Sequence, residues 1–195
     1  MTRYDARTAL VVVDVQNDFA DPAGSLYVRG GEETVPVIVD EIAKAKTTGA
    51  LVVYSQDWHP QTTPHFRKDG GVWPVHCVQD TWGAAFHPEL DVGEDIVIRK
   101  GADGGDGYSA FSVRDPLSGE TLDTELERVL REHGIERIVV CGLATDYCVV
   151  ETVVDARTLG LEVEVLSAGI RAVELAPGAG DLALTRMRDA GAEVA

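Results

Sequence analysis

Five short apolar runs rich in β-branched residues punctuate the chain: ALVVVDV (9–15), LVVYSQ (51–56), DIVIRK (95–100), RIVVCGL (137–143) and EVEVLSA (162–168). They are nearly continuous rather than alternating, as expected of strands buried on both faces. Between most of them the apolar spacing turns helical. In EETVPVIVDEIAKAKTTG, Val35, Ile38, Ile42 and Ala45 recur at helical steps and Gly49 supplies a stop. LDTELERVLREHG places Leu122, Leu126 and Leu130 four apart before Gly134. TDYCVVETVVDARTLG opens on a Thr145/Asp146 cap and closes at Gly160, and GDLALTRMRDAG leads into a short AEVA that reads as an edge strand. This alternation predicts an α/β domain: a three-layer α/β/α sandwich with a central, mostly parallel sheet of about five to six strands, one domain over 1–195. Two long polar stretches, 57–94 and 101–119, break the rhythm, and segments of that length are commonly functional. The first holds His59, His65, His76 and all three tryptophans, which argues against disorder.

Composition narrows the partners. The 195 residues carry a formal charge of -16, which disfavours nucleic acid and anionic membrane and tolerates a neutral small molecule. The 45% hydrophobic and 26% charged fractions are those of an ordinary globular chain. The first apolar run is cut by Asp14 and reads as a strand rather than a signal peptide, and no run reaches the length of a membrane span. Three cysteines, Cys77, Cys141 and Cys148, do not suit a disulfide framework, so reduced thiols and a cytoplasmic location are expected.

In an open parallel sheet, ligands bind beyond the carboxyl ends of the strands. Asp14 closes the first strand, Asp57 and His59 follow the second, Lys100 closes the third, and the fourth runs into CGLATDYC, which puts Cys148 in the first turn of a helix. All should gather on one rim. A helix N-terminus and a nearby lysine both favour thiolate at Cys148; alone, the same cysteine reads equally as a small packed hydrophobe. A buried carboxylate, a lysine and a cysteine together form a nucleophilic hydrolase set. Cys141 lies in a strand and reads as core, while Cys77 reads as packing beside His76. Asp57 and His59, two apart on an extended segment, point to one side. With His65 and His76 they offer one carboxylate and three imidazoles, suited to one divalent ion, Zn, Fe or Mn. His87 and His133 lack such company and read as a loop and a helix-end residue.

The motifs ALVVVDVQNDF, DWHP with HF, WPVHC, FHPEL, KG with YSAF, and CGLATDYCV occur in order along essentially the whole chain. Together they resemble the nicotinamidase/pyrazinamidase branch of the isochorismatase-like cysteine hydrolases. The resemblance implies the same three-layer fold and a catalytic triad of Asp14, Lys100 and Cys148. It implies a metal held by Asp57, His59, His76 and His65, and a cis bond between Leu143 and Ala144 that makes an oxyanion hole of the Ala144 and Cys148 amides. Phe19, Trp73 and Tyr108 match the walls of an aromatic pocket, with Tyr147 beside the nucleophile where some relatives have histidine. The segment GADGGDGYS is richer in glycine and aspartate than the pattern calls for. The implied reaction is hydrolysis of nicotinamide, and of similar pyridine-type carboxamides such as pyrazinamide, through a Cys148 thioester in NAD salvage. The metal then orients the ring nitrogen rather than acting as electrophile. Rival readings are an N-carbamoyl or isochorismate-type substrate, a metal-catalysed hydrolysis, and a catalytically idle binding protein. A monomer and a homo-oligomer both remain open.

Overall fold

The computed structural model describes residues 4–195. Eight strands occur in chain order: β1 (Thr8–Val13), β2 (Leu51–Asp57), β3 (Ile96–Lys100), β4 (Ser112–Arg114), β5 (Thr121–Asp123), β6 (Arg137–Leu143), β7 (Glu162–Arg171) and β8 (Glu193–Val194). The helices are α1 (Asn17–Ala20), α2 (Val35–Thr47), α3 (Leu126–Glu132), α4 (Val150–Thr158) and α5 (Ala179–Asp189). Six strands form one parallel sheet in the order β3-β2-β1-β6-β7-β8, so the predicted sandwich is present and AEVA does supply its edge. The chain first winds outward from β1 through β2 to β3. It then returns to place β6 on the other side of β1 and winds away again. The β1/β6 boundary is therefore the switch point, where a crevice opens at the carboxyl ends.

Strand β1 is buried along its whole length and serves both faces. Ala9, Val11 and Val13 pack with Leu126, Leu130, Val153 and Met187 from α3, α4 and α5. Leu10 and Val12 turn the other way onto Ile38, Ile42 and Ala45 of α2. The period of two in the strands and the helical spacing in α2 thus meet in two cores, one on each side of the sheet. Where β6 passes β1, Gly142 has φ +120, and a Cβ there would stand 2.6 Å from the Val13 nitrogen. Glycine at this position lets the two central strands approach just below the crevice.

One predicted helix is shorter than its pattern. In LDTELERVLREHG only Leu126–Glu132 is helical, while Thr121–Asp123 forms β5 and pairs antiparallel with β4, Val113 opposite Leu122. The hairpin is closed by Asp115, which accepts the N–H groups of Leu117 at 2.8 Å and Ser118 at 2.7 Å. Thr124 then accepts the Leu126 N–H and starts the helix. Leu122 shares the four-residue spacing of Leu126 and Leu130 but is exposed, because cross-strand pairing claims its backbone.

Candidate functional site

Asp14 leaves β1 with φ +47, a left-handed conformation that side chains with a Cβ seldom adopt. Its carboxylate is fully buried and accepts the Ser55 hydroxyl at 2.7 Å through Oδ1. Lys100 Nζ lies 2.6 Å from Asp14 Oδ2, an ion pair whose angle leaves that oxygen without a directed hydrogen bond. The same ammonium, itself fully buried, donates to Asp57 Oδ1 at 2.8 Å and to the Gly107 carbonyl, and stands 3.6 Å from Cys148 Sγ. The Asp14 and Asp57 carboxylates and the Cys148 sulfur have atoms all within 4.8 Å of one another. Asp14, Lys100 and Cys148, contributed by three separate strand ends, do converge.

Charge balance in this cluster decides protonation. Burial pushes the Asp14 carboxyl up to about 6, against the pull of Lys100. Burial likewise opposes ionisation of Asp57, yet Lys100, His59 and His76 hold it well below the carboxylate range. Lys100 stays charged: burial works against it, but Asp14, Asp57 and Cys148 raise it well above its usual value. Around Cys148 burial and the neighbouring charges pull in opposite directions. Burial raises the thiol well above its ordinary value, Lys100 only partly offsets this, and Asp14 and Asp57 add to the rise. One lysine faces two carboxylates as well as the sulfur, so its support for a thiolate is shared. The predicted Thr145/Asp146 cap is absent. Ala144 precedes a single π turn, Thr145–Val149, while the Asp146 carboxylate accepts the N–H groups of Val173 at 2.8 Å and Glu174 at 3.0 Å. The Leu143–Ala144 peptide is cis, as the motif implied, and the Ala144 carbonyl accepts the N–H groups of Tyr147 and Val149.

The second carboxylate oxygen of Asp57 faces the imidazoles, 3.6 Å from His59 Nε2 and 3.8 Å from His76 Nε2. The chain supplies this arrangement by pairing the 57–59 segment with 77–79: the His59 N–H donates to the Cys77 carbonyl and the Gln79 N–H to the His59 carbonyl. Ring nitrogens of His59, His65 and His76 come within 4.8 Å of one another, and all three rings are buried. Neither ring nitrogen of His59 has a hydrogen-bond partner, and burial lowers its pKa, which keeps the ring neutral with a lone pair to offer. His76 directs Nδ1 at the Pro74 carbonyl, 2.8 Å away. Metal–ligand bonds of about 2.1 Å in a tetrahedral site put donors roughly 3.4 Å apart. The two Asp57–imidazole distances are within a few tenths of that, so a buried oxygen-and-nitrogen donor set with His59 unpartnered fits a divalent cation. His65 differs in that its Nδ1 faces Asp106, 2.5 Å from Oδ1.

Between the cysteine and the imidazoles opens a narrow cavity. Phe19, Trp73, Tyr108 and Tyr147 line it with Ala144 and Val173. Trp73 donates Nε1–H to the Tyr108 hydroxyl at 2.7 Å, and its ring meets Tyr147 edge-on with centroids 4.8 Å apart. A narrow apolar slot with a cysteine on one wall and candidate cation ligands on the other has the lining of a small-molecule site.

Three side chains that sequence reasoning did not reach hold this arrangement. Ser55 fixes Asp14. Gln16 accepts the Asp57 N–H and donates to the Asp57 carbonyl, both at 2.8 Å, pinning that backbone from both sides. Asp106 holds His65. All three lie within stretches quoted above, LVVYSQ, ALVVVDVQNDF and GADGGDGYS, but nothing in those stretches signals the partner. Cys77 and Cys141 are buried and free, as packing residues. His133 Nδ1 faces the Val129 carbonyl, which can only accept, at the end of α3, and His87 Nδ1 accepts the Glu89 N–H in a loop.

The isochorismatase domain model matches residues 8–195. The chain is 39% identical to the nicotinamidase of Escherichia coli over 94% of its own length and 92% of that protein. Among solved structures it is similar to the pyrazinamidase of Pyrococcus horikoshii in complex with zinc, with a TM-score of 0.86 and 38% identity, covering 97% of this chain and 98% of that one. It is also similar to PnC1 of L. infantum in complex with nicotinate, with a TM-score of 0.89 and 35% identity over 100% and 95% of the two chains. The chain belongs to the isochorismatase family of hydrolases, in its nicotinamidase/pyrazinamidase branch.

Proposed function

We propose that this chain is a nicotinamidase, hydrolysing nicotinamide to nicotinate and ammonia. The observation that carries the reading is the single cavity with Cys148, served by Asp14 and Lys100, on one wall and the Asp57/His65/His76 cluster on the other. Asp14, ionised near neutrality, takes the thiol proton as the sulfur attacks the carboxamide carbon. Transfer concerted with attack suits this site, because burial opposes a free thiolate. Lys100 steadies the developing negative charge at 3.6 Å from the sulfur. The carboxamide oxygen becomes an oxyanion beside the Ala144 and Cys148 amides, where each donor contributes about 10²–10³ in rate. Asp14 returns the proton to the departing nitrogen, which leaves as ammonia. Water, deprotonated by the same carboxylate, then attacks the thioester and releases nicotinate and the free thiol.

A zinc, iron or manganese ion held by Asp57, His59 and His76, with His65 as fourth ligand, would supply a Lewis-acid anchor for the ring nitrogen. Phe19, Trp73, Tyr108 and Tyr147 grip the ring faces and exclude water. A second ring nitrogen adds no bulk, so pyrazinamide is a further substrate on this reading. The family's nicotinamidases also suggest a place in NAD salvage and a cytoplasmic setting for one catalytic domain over 1–195, acting as monomer or homo-oligomer. No helix among the described residues is long and apolar enough to cross a membrane, and the charge of -16 disfavours nucleic acid as a partner.

Ammonia release from nicotinamide by zinc-replete protein tests the reading against Cys148→Ala. Release by the parent and none by the variant is expected. Absence of release by a folded, zinc-replete parent would sink it in favour of an N-carbamoyl substrate, and equal release by both would make the metal the catalyst.

A further inference from the structure

The segment GADGGDGYS (101–109), over-rich in glycine and aspartate, lies against the imidazole cluster. Gly101 has φ +76, and a Cβ there would stand 2.6 Å from His59 Cε1 and 2.7 Å from its Nδ1. The Gly104 carbonyl accepts the Thr63 hydroxyl at 2.6 Å, and Thr63 Oγ1 in turn accepts the His65 N–H at 3.2 Å. A Cβ on Gly107 would lie 3.0 Å from Asp57 Oδ1. The glycines thus let backbone approach the rings, which leaves Asp106 as the one side chain of 101–107 paired with an imidazole among the described residues.

Two restraints act on the His65 ring. It stacks on His59 with centroids 4.5 Å apart and 18° between planes, which sets its plane. The contact from Nδ1 to Asp106 Oδ1 sets its rotation within that plane. A carboxylate accepts a hydrogen bond, so the proton belongs on Nδ1 and the lone pair on Nε2. Asp106 is anchored independently of its side chain: its N–H donates to the Arg114 carbonyl at 2.7 Å and its carbonyl accepts the Arg114 N–H at 3.0 Å. The end of β4 therefore holds the carboxylate in place.

We propose that Asp106 is a positioning residue of the metal site, fixing the His65 tautomer and aiming its Nε2 lone pair into the cluster with His59 and His76. The inference rests on the metal-holding reading given under Proposed function. Outer carboxylates of this kind change metal affinity by about 10–100-fold when removed.

The test is zinc affinity of the full chain, by competition with a chromophoric chelator, for the parent, Asp106→Ala, Asp106→Asn, His65→Ala, the Asp106→Ala/His65→Ala double variant and Asp57→Ala. Asp106→Ala should weaken zinc by about 10–100-fold in the parent background and by less than about twofold once His65 is gone, since a positioning residue has nothing left to position. Asp106→Asn, which keeps an acceptor oxygen, should fall between. Nitrogen NMR of the metal-free protein should show His65 as the single Nδ1–H tautomer in the parent and as a mixture in Asp106→Ala, a signal that general loosening of the fold does not produce. Unchanged affinity in Asp106→Ala, or equal loss in both backgrounds, overturns the proposal. If Asp57→Ala abolishes zinc binding while Asp106→Ala leaves it intact, the Asp106 inference alone fails. Zinc affinity unchanged in Asp57→Ala would instead bring down the metal reading beneath it.

Discussion

Removing one oxygen atom, in Ser55→Ala, tests whether Asp14 is the base. Ser55 is buried in β2, and its hydroxyl donates to Asp14 Oδ1 at 2.7 Å. Its carbonyl separately accepts the Asp14 N–H at 3.3 Å, so the backbone junction survives the substitution. A hydrogen bond to a buried charged group contributes about 1.5–3 kcal/mol. At about 1.36 kcal/mol per unit, losing it raises the Asp14 pKa by roughly 1–2 units. Burial already places that carboxyl at about 6. The sign follows directly: the base must be ionised, so activity falls as pH drops through its pKa, and destabilising the anion moves that fall to higher pH. With a displacement of about 1.5 units, kcat/KM at pH ~6.5 drops roughly eightfold while the rate near pH ~9 is nearly unchanged. The assay is ammonia release across pH with parent and variant loaded with the same metal. A cation beside Asp57 lowers both curves, so the displacement between them is the tested quantity. An acid limb that does not move, or a rate reduced equally at every pH, would refute Asp14 as the titrating base.

Three further outcomes follow from the geometry. Gly101→Ala forces a Cβ against the His59 ring at a positive φ, which should lower stability by about 1–3 kcal/mol in urea titration and weaken zinc binding in the chelator assay. Leu126→Ala opens a cavity at a side chain with no exposure and should cost about 2–5 kcal/mol. Leu122→Ala, at a residue 65% exposed, should stay within about 0.5 kcal/mol; equal losses in that same titration would mean the two leucines share one helix face after all. Trp73→Phe keeps the ring against Tyr147 but removes the donor to Tyr108, so KM for nicotinamide should rise more than kcat falls in steady-state assays.

How the rim was legible can be seen residue by residue. Asp14, Asp57 and Lys100 close apolar strands and Cys148 lies in the first turn after β6, and in a parallel sheet every such end points the same way. Leu122 was not legible, because a four-residue apolar spacing fits a helix face and only its pairing with Val113 excludes one. How far Lys100 supports a thiolate was hidden for a related reason. A lysine near a cysteine was readable, but not that the same lysine is shared between Asp14 and Asp57.

The sequence by itself therefore determined the strand-and-helix alternation, the sheet's carboxyl rim and the identity of the groups on it, since these depend on local periodicity and on residues adjacent to strand ends. Tertiary structure alone decided which charges surround Cys148, which carboxylate faces His65 and which side chains hold Asp14 and Asp57. Each depends on a partner 41 residues or more away, as Ser55 is from Asp14, Gln16 from Asp57, Asp106 from His65 and Lys100 from Cys148. Charge and hydrogen-bond balance in a buried site is a property of everything that converges there, and convergence is created only when the chain folds.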